Sequence, residues 1–288
     1  MEARALSISP YARKALAAGG MGHVEGVFAT SFNVRLGDSL VHVGRACDEL
    51  SCTGLSVAAG EMAELLRGLA NGAVCIAGER RLRLYRADGV ASIGVATAEL
   101  VGCPIPRLAD VSAAAWALAE LGPLVHREAC GLPPAPEVDA SLSVLANPTN
   151  EAELEKAIRY LTGRGQGLTP SGDDVLLGYA CARAAFGVGA GLGELVWAEA
   201  RGRTTSVSAS YAQAFAAGYV NPVYARLLRA AYARDKAGFA AATAAIASIG
   251  HTSGADALLG LSLGLSYVAA NAADAAPASS ATPAVNGQ

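Results

Sequence analysis

The sequence predicts an α+β fold in which a mixed, β-rich N-terminal region precedes an all-helical C-terminal region. Short β-branched or alternating apolar segments fill the first hundred residues, and Gly-Asp, Asn-Gly and Asp-Gly turns bound several of them. From Glu151 onward, apolar residues recur at helical spacing. We therefore expect a β-rich domain over 1–128, a Pro-rich connector over 129–150, a helical domain over 151–271 and a disordered tail over 272–288.

The predicted β-rich domain contains strands and two helices. A helix over 60–71 interrupts the strands, because Leu65, Leu66 and Leu69 fall on one helical face. Another helix is predicted over 111–121, after a short segment that contains two prolines. Five segments have the length and residue types of strands, namely 24–36, 39–44, 73–78, 81–87 and 91–97.

The helical domain opens with a well-marked helix start. Asn150 is the predicted N-cap, acidic residues fill the following turn, and Gly163 ends the pattern. These helices are rich in Ala, Gly and Ser, which lets their backbones approach closely. Six more helices are predicted over 173–186, 192–200, 208–217, 222–233, 236–248 and 255–269.

Composition excludes several classes of function. Hydrophobic residues make up 52% of the chain and charged residues only 16%, so we expect a large buried core. The net charge of −3 and the lack of a dense basic cluster argue against nucleic-acid binding. No signal peptide is visible and no apolar run reaches the ~20 residues that a bilayer requires, so we expect a cytoplasmic protein without membrane contact. The six cysteines form no CxxC pair and are expected to be reduced.

Two segments share the pattern Ser-Gly-x-Asp-x-Leu-Leu-Gly, each at the start of a predicted helix. They are SGDDVLLG, residues 171–178, and SGADALLG, residues 253–260. The first follows the glycine-rich stretch GRGQGLTP, and the second follows His251 and Thr252. A glycine-rich loop before a helix leaves several N–H groups unpaired, and the helix dipole adds positive potential, so the pattern predicts an anion site.

Backbone N–H groups and hydroxyls of these segments are the expected ligands of phosphate or carboxylate oxygens. The motif is not a P-loop, because no Lys-Ser/Thr follows the glycines, and the chain has no GxGxxG fingerprint. The candidate binding residues are Gly165, Gly167, Thr169, Ser171 and Gly172 in the first segment and Thr252, Ser253, Gly254 and Asp256 in the second.

The acidic residues require their own explanation, because a carboxylate beside a bound anion is repulsive. Asp173 and Asp174 either hold Mg²⁺, the one candidate cofactor, or accept hydrogen bonds from a substrate NH₂ group. Together with His251, which could move a proton, they are the candidate catalytic residues. Two structural alternatives stay open: the acids cap the helix N-termini, or the repeated pattern serves the packing of two paired helices.

A third polar segment, TTSVSAS, precedes the Ala-rich helix predicted over 208–217. Thr205 and Ser208 within it are further candidate binding residues. An ordinary capped helix start is the alternative explanation.

Three stretches resemble the blocks of the AllH-type family, which is named after a subunit of bacterial oxamate carbamoyltransferase. They are GLTPSGDDVLLG, TTSVSASYAQAFAAGYVNPVYARLL and GHTSGADALLGLSLGL. The stretch GVFATSFNVRLGDSLVHVG is similar to the family's opening β-segment, and Asn33 within it is a further candidate binding residue. The resemblance is strongest from Gly163 to Leu265. It implies carbamoyl transfer between oxamate or oxalurate and carbamoyl phosphate, in the allantoin and purine catabolism that serves nitrogen metabolism.

The resemblance also implies partners and a mechanism. The partners are a small anionic substrate with a carbamoyl or amide group and two further protein subunits, one of which resembles acyl-CoA synthetases. No protein nucleophile is required, since an acceptor can attack carbamoyl phosphate directly in a site that stabilises charge. Two other functions stay open: a non-catalytic subunit whose loops form an interface, and a stand-alone Mg-dependent phosphotransferase or ligase. A pocket open on the free chain argues against the first, and the lack of a nucleotide motif argues against the second.

Overall fold

The computed structural model describes residues 1–271 and has the predicted α+β class. The elements of the N-terminal region are β1 (Glu2–Ile8), α1 (Pro10–Ala17), β2 (Gly20–Val27), β3 (Phe32–Leu36), β4 (Ser39–Arg45), β5 (Gly54–Val57), α2 (Ala59–Leu66), β6 (Val74–Gly78), β7 (Arg81–Arg86), β8 (Gly89–Gly94) and β9 (Glu99–Leu100). The helices that follow are α3 (Ser112–Leu121), α4 (Pro136–Ala146), α5 (Glu151–Leu161), α6 (Ser171–Ala185), α7 (Leu192–Ala200), α8 (Ser206–Ala216), α9 (Pro222–Ala233), α10 (Lys236–Ala247) and α11 (Ser253–Ala270).

The strands form one sheet that closes on itself. Its order is β5-β4-β3-β2-β6-β7-β8-β1, β1 pairs back with β5, and β9 pairs with the end of β1. Most neighbours are antiparallel, whereas the β1–β8, β1–β9 and β4–β5 pairs are parallel. Along β7, Leu82 and Leu84 are buried while Arg81 and Arg83 are exposed, as the alternation of side chains in a strand requires. The closed sheet thus keeps its apolar side chains inside.

The N-terminal region differs from the prediction in several places: strands β5 and β9 were not predicted, and the helix predicted over 60–71 ends at Leu66. Strand β1 and helix α1 were not predicted, because charged residues in β1 alternate with small alanines that conceal its apolar face. Helix α1 did carry a signal, since the Ser9 hydroxyl accepts a hydrogen bond from the N–H of Ala12 as an N-cap. The predicted strand 24–36 is two strands, because a turn in which the N–H of Phe28 donates to the Ser31 carbonyl separates them.

All seven helices predicted after Asn150 are present, with ends that differ by at most about two residues, as is common for helix boundaries. The predicted cap is confirmed, because the Asn150 side chain accepts a hydrogen bond from the N–H of Glu153 at 3.0 Å. Helix α4 lies in the segment predicted as a connector. Pro136 occupies the first turn of α4, where its missing N–H costs no intrahelical hydrogen bond.

Helices α6 and α11 form the most extensive helix–helix contact in the described chain. Gly178 and Gly260, which end the two copies of the repeated pattern, lie where the helices cross. A methyl group at Gly178 would overlap the Ala257 carbonyl oxygen, and one at Gly260 would overlap that of Val175. These positions are equivalent in the pattern, so the helices cross with pseudo-twofold symmetry. Packing of paired helices, one of the two structural alternatives, therefore explains these glycines.

Helix α11 is the one helix of residues 1–271 that is long and apolar enough to cross a bilayer by length and composition. Half of it is buried inside the protein, where it lies along α6. A buried core helix satisfies the same criteria of length and composition.

The hydrophobic side chains form two main clusters. One lies within the sheet, over residues 3–98, and the other lies among the helices, over residues 108–268 and with α3 included. The two regions contact each other at Tyr11, whose hydroxyl donates to the side-chain oxygen of Gln213 at 2.5 Å. The predicted domain boundaries stay predictions, and the predicted tail, 272–288, lies outside the described residues.

Candidate functional site

Three segments meet at the N-terminal ends of α6 and α11. The first loop, 162–170, precedes α6; the second loop, 248–252, precedes α11; and a third segment contributes Gly131. A side-chain carbon at Gly131 would lie 2.6 Å from the Thr252 hydroxyl oxygen and would overlap the Ser171 hydroxyl oxygen. Only glycine at this position lets the three segments come together.

An open cleft of about 650 Å³ lies at this junction. Its size falls within the range of small-molecule sites. Five of its lining residues were predicted from the sequence: Gly165, Gly167, Ser171, His251 and Thr252. The lining is completed by Gly131, Pro133, Arg164 and Gln166.

Backbone N–H groups of the first loop are available to a ligand. Within residues 1–271, the N–H groups of 165–169 and of Ser171 donate to no other backbone or side-chain acceptor. In contrast, the N–H of Gly172 donates to the Arg164 carbonyl at 2.7 Å, and the next two N–H groups of α6 donate to the Pro170 carbonyl. An anion in this cleft would therefore be bound mainly by N–H groups of the first loop and less by those of the first turn of α6.

Gly172 and Gly254, which are equivalent in the repeated pattern, pack against the ends of the preceding helices. A methyl group at Gly172 would overlap the Leu161 carbonyl oxygen of α5, and one at Gly254 would overlap the Ile246 carbonyl oxygen of α10. The N-cap positions of α6 and α11 make no side-chain capping hydrogen bond. Close packing therefore accounts for the repeated glycine, and these two predicted binding residues lie against protein backbone.

Asp173 holds the first loop to the segment before α8. Its Oδ1 accepts from the N–H of Gly163 at 2.8 Å, and its Oδ2 accepts from the Thr204 hydroxyl. Burial raises the pKa of Asp173, and these hydrogen bonds oppose the rise. With both oxygens engaged, Asp173 does not present the free oxygens that Mg²⁺ binds. Residues 1–271 contain no group of three His, Cys, Asp or Glu side chains arranged for a metal, and Mg²⁺ binding beside Asp174 stays a prediction.

Asp174 and Asp256 form a buried acidic pair beside the junction. They occupy equivalent positions of the repeated pattern and are only 9% and 0% exposed. Asp256 Oδ1 accepts from the N–H of Gly131 at 2.9 Å. The Oδ2 atom of each acid has no hydrogen-bond partner within residues 1–271.

The environment of Asp174 favours its protonated form. Burial is the main cause that raises the pKa of Asp174 to about 8, and the charge of Asp256 adds to the rise. Hydrogen bonds from the hydroxyls of Ser253 and Thr169 oppose it. At neutral pH the Asp174 carboxyl is therefore mainly uncharged and can donate a hydrogen bond as well as accept one.

Asp173 and Asp174 line a second, much smaller cavity of about 20 Å³, which is sufficient for one water molecule. Ser208 and Tyr211 are among its other walls. His251, the predicted proton carrier, is exposed and lines the large cleft instead. The structure thus gathers the loop residues and His251 around one cleft, while the two acids lie at another cavity.

Hydroxyl groups connect the loops to each other and to α8. The hydroxyl oxygens of Thr169 and Ser253 lie 2.9 Å apart, so they link the first loop to the start of α11. Thr205 caps α8, since its hydroxyl oxygen accepts from the N–H of Ser208 at 3.1 Å, and its own hydroxyl donates to the Leu168 carbonyl. Thr205 therefore acts as the ordinary helix cap that the sequence left as an alternative.

Asn33 lies in β3 and lines neither cavity. Its Oδ1 is 2.9 Å from Nδ1 of His42 in the neighbouring strand. Burial lowers the pKa of His42, so the neutral ring that donates to Asn33 is favoured. This pair satisfies polar groups inside the sheet region.

Sequence reasoning missed four residues of the cleft, and the two that matter most to its chemistry and shape are Arg164 and Gly131. Arg164 stacks on Tyr160, with 3.8 Å between the guanidinium carbon and the ring centre, and its Nε donates to the Tyr160 carbonyl. A basic residue within a glycine-rich loop is a visible signal for anion binding, so Arg164 could have been found. Gly131 carried no such signal, because only the fold brings it to the two loops.

The helical region, with its two loops, matches a family of carbamoyltransferase subunits over residues 161–265. That family is described as oxamate carbamoyltransferase subunit AllH. The match contains both copies of the repeated pattern, and the resemblance to the AllH-type family is confirmed over these residues. No curated protein matches the chain, and no solved structure does.

Proposed function

We propose that this chain is a subunit of a cytoplasmic carbamoyltransferase complex that acts on oxamate or oxalurate and carbamoyl phosphate, in allantoin and purine catabolism. One observation carries the proposal: the family match over residues 161–265 includes both loops, and these loops line an open cleft. The name of the family supplies oxamate and the subunit role. The chemistry of the cleft supports a small anion as its ligand.

The cleft offers the groups that a phosphate or carboxylate requires. The unpaired N–H groups of 165–169 and the hydroxyl of Ser171 are neutral donors. Arg164 adds a positive charge, and charge-assisted hydrogen bonds to such anions are the stronger ones. We assign the phosphate of carbamoyl phosphate to these donors. Asp174 is a positioning residue in this proposal, because its protonated carboxyl lies next to the hydroxyls of Thr169 and Ser253, which link the two loops.

The proposed transfer forms one bond and breaks one. The amide nitrogen of oxamate attacks the carbamoyl carbon, and the bond between that carbon and the phosphate oxygen breaks. Phosphate leaves with the bonding electron pair, and the proton lost by the nitrogen passes through His251 to the phosphate. Loop N–H groups stabilise the negative charge on the leaving group, so no covalent intermediate with the protein is needed.

The proposed complex contains two further subunits, one of which resembles acyl-CoA synthetases. The test is an affinity purification of this chain from its native host, followed by measurement of phosphate release from carbamoyl phosphate plus oxamate. The isolated chain is assayed in parallel. We expect activity in the purified complex that depends on both substrates.

A matched pair of histidine variants locates the site. His251→Gln in the complex should lower kcat about 100-fold, as is typical for loss of a proton carrier. His23→Gln, an exposed histidine on the sheet, should leave kcat unchanged. An active complex in which both variants retain full activity would assign this chain a non-catalytic role at an interface. Nucleotide binding by the isolated chain, without carbamoyl transfer, would favour a phosphotransferase or ligase.

A further inference from the structure

A second cleft lies at the other end of the α6–α11 helix pair. It has a volume of about 440 Å³ and is bounded by the glycine-rich loop 187–191, the start of α5 and the far ends of α6 and α11. Arg183 of α6 and Tyr267 of α11 line it. A helix rises 1.5 Å per residue, so Arg183 lies about 18 Å along α6 from Ser171, and Tyr267 lies about 21 Å along α11 from Ser253. The second cleft is therefore separate from the cleft at the loops.

Arg183 is a buried cation in this cleft, with only 5% of its surface exposed. Its Nη1 donates to the Tyr179 hydroxyl at 2.6 Å, and its guanidinium carbon lies 3.9 Å from the centre of the Tyr267 ring. Its Nε has no hydrogen-bond partner within residues 1–271. No carboxylate of the described chain forms an ion pair with this guanidinium.

A buried guanidinium without a counter-ion is unfavourable, because arginine keeps its charge at physiological pH and loses its hydration on burial. The Tyr267 ring offsets part of this cost through a cation–π contact. Nε and Nη2 make no hydrogen bond within residues 1–271, and this edge of a guanidinium can bind a carboxylate with two parallel hydrogen bonds. Gly189 packs directly against the guanidinium, since a side-chain carbon there would lie 3.0 Å from Nη2.

The loop between α6 and α7 adds neutral donors beside Arg183. Within residues 1–271, the N–H groups of Gly189, Ala190 and Gly191 donate to no other backbone or side-chain acceptor. Helix α7 begins directly after them, so its dipole adds positive potential at the same place. These features agree with the unpartnered guanidinium in favouring a negatively charged ligand group.

Another wall of the second cleft is acidic. Glu151 in the first turn of α5 is exposed, and Glu155 pairs with Arg159 at 2.8 Å. These carboxylates repel a second negative charge on the ligand and attract N–H donors or an ammonium group. The cleft is thus complementary to a molecule with a negative charge at one end and with N–H donors or a positive charge at the other.

We propose that the second cleft binds a small molecule with one carboxylate, held by Arg183 and the loop N–H groups, and with N–H donors directed at Glu151. Small amino acids and carboxylate amides have this chemistry. The proposal does not rest on the carbamoyltransferase function, and it concerns residues outside the cleft at the two loops.

The test is a titration of the full-length chain with glycine, oxamate and acetate, monitored by backbone N–H resonances in NMR spectra. We expect glycine or oxamate to shift the resonances of 189–191 with a Kd about fivefold or more below that of acetate, which lacks N–H donors. Arg183→Met should raise this Kd about tenfold or more. Arg164→Gln, in the other cleft, should leave it unchanged, and Glu151→Gln should raise it for glycine but not for acetate.

Three results would overturn the proposal: no probe shifts residues 189–191, the shifts lie only at the first loop, or Arg183→Met binds as the wild type does. If Arg183→Met does not fold, Arg183→Lys retains the charge but loses the planar fork. A Kd about threefold or more higher in Arg183→Lys supports the proposal, and an unchanged Kd contradicts it. Phosphate release by the complex is a separate measurement, so the two proposals can fail independently.

Discussion

Replacing Asp174 with asparagine should stabilise the protein at neutral pH. Burial raises the pKa of Asp174 from its ordinary 3.8 to about 8, so the folded chain carries a proton on this carboxyl at pH 7 that the unfolded chain lacks. Whenever the folded state binds more protons than the unfolded state, stability falls as pH rises. Asp174 therefore lowers the free energy of unfolding progressively from about pH 4 to about pH 8 and has a constant effect above that.

The size of the effect follows from the same pKa. At about 1.4 kcal/mol per pH unit, the interval from 3.8 to pH 7 corresponds to about 4 kcal/mol. Asparagine has the same shape and carries no charge, so it avoids this cost. We expect Asp174→Asn to raise Tm by roughly 5–15 °C at pH 7 and to equal the wild type near pH 4.

The assay is thermal unfolding of both proteins, followed by circular dichroism between pH 4 and pH 9. Asp38→Asn is the control, because Asp38 is 77% exposed and its replacement should leave Tm unchanged at every pH. A difference in Tm between Asp174→Asn and the wild type that stays constant over this pH range would refute the reasoning. It would show that Asp174 is charged in the folded protein. If the carboxyl also positions the two loops, the stabilised variant should lose most of its carbamoyl transfer within the complex.

Three other substitutions, one of them with a matched control, test the packing and the loop contacts. Gly260→Ala should lower the free energy of unfolding by about 1–3 kcal/mol in urea denaturation, because the added methyl overlaps a backbone carbonyl of α6. The control is Gly60→Ala, which has open space around it and should raise the free energy of unfolding by about 0.5–1 kcal/mol. Asp173→Ala should cost about 1–3 kcal/mol in the same measurement, because it removes the acceptor of a loop N–H; no change would mean that water replaces the carboxylate. Thr169→Val should change stability by less than about 1 kcal/mol but lower kcat of the complex, because it breaks the hydroxyl link between the loops.

The helical region could be predicted well from the sequence because its signals are local. The Asn150 cap, the acidic first turn of α5 and the glycines at helix ends act within a few residues of where they stand. Closure of the sheet depends instead on pairing of β1 with β5 and β8, which are distant in sequence. The first strand also buries alanines, so its apolar face gave no clear pattern.

The candidate site could be predicted in part for the same reason. Both loops carry their glycines and hydroxyls in the sequence, and five of the predicted residues line the cleft. Gly131 comes from a segment that looked like a connector, and its closeness to Ser171 and Thr252 is a property of the fold alone. The sequence also could not distinguish the roles of Asp173 and Asp174. In the structure, Asp173 accepts a hydrogen bond from a loop N–H, whereas Asp174 has an oxygen without a partner within residues 1–271.

Comparison of the two copies of the pattern separates packing from the site. The glycines that both copies share are explained by packing, since each lies against a carbonyl of the neighbouring backbone. The shared acids, Asp174 and Asp256, are different, because burying a carboxyl next to another carboxyl stabilises neither helix. Packing alone would favour an apolar residue at both positions. The acidic pair is therefore the feature of the repeat that helix packing does not explain, and its place beside the loops makes it the first target for mutagenesis.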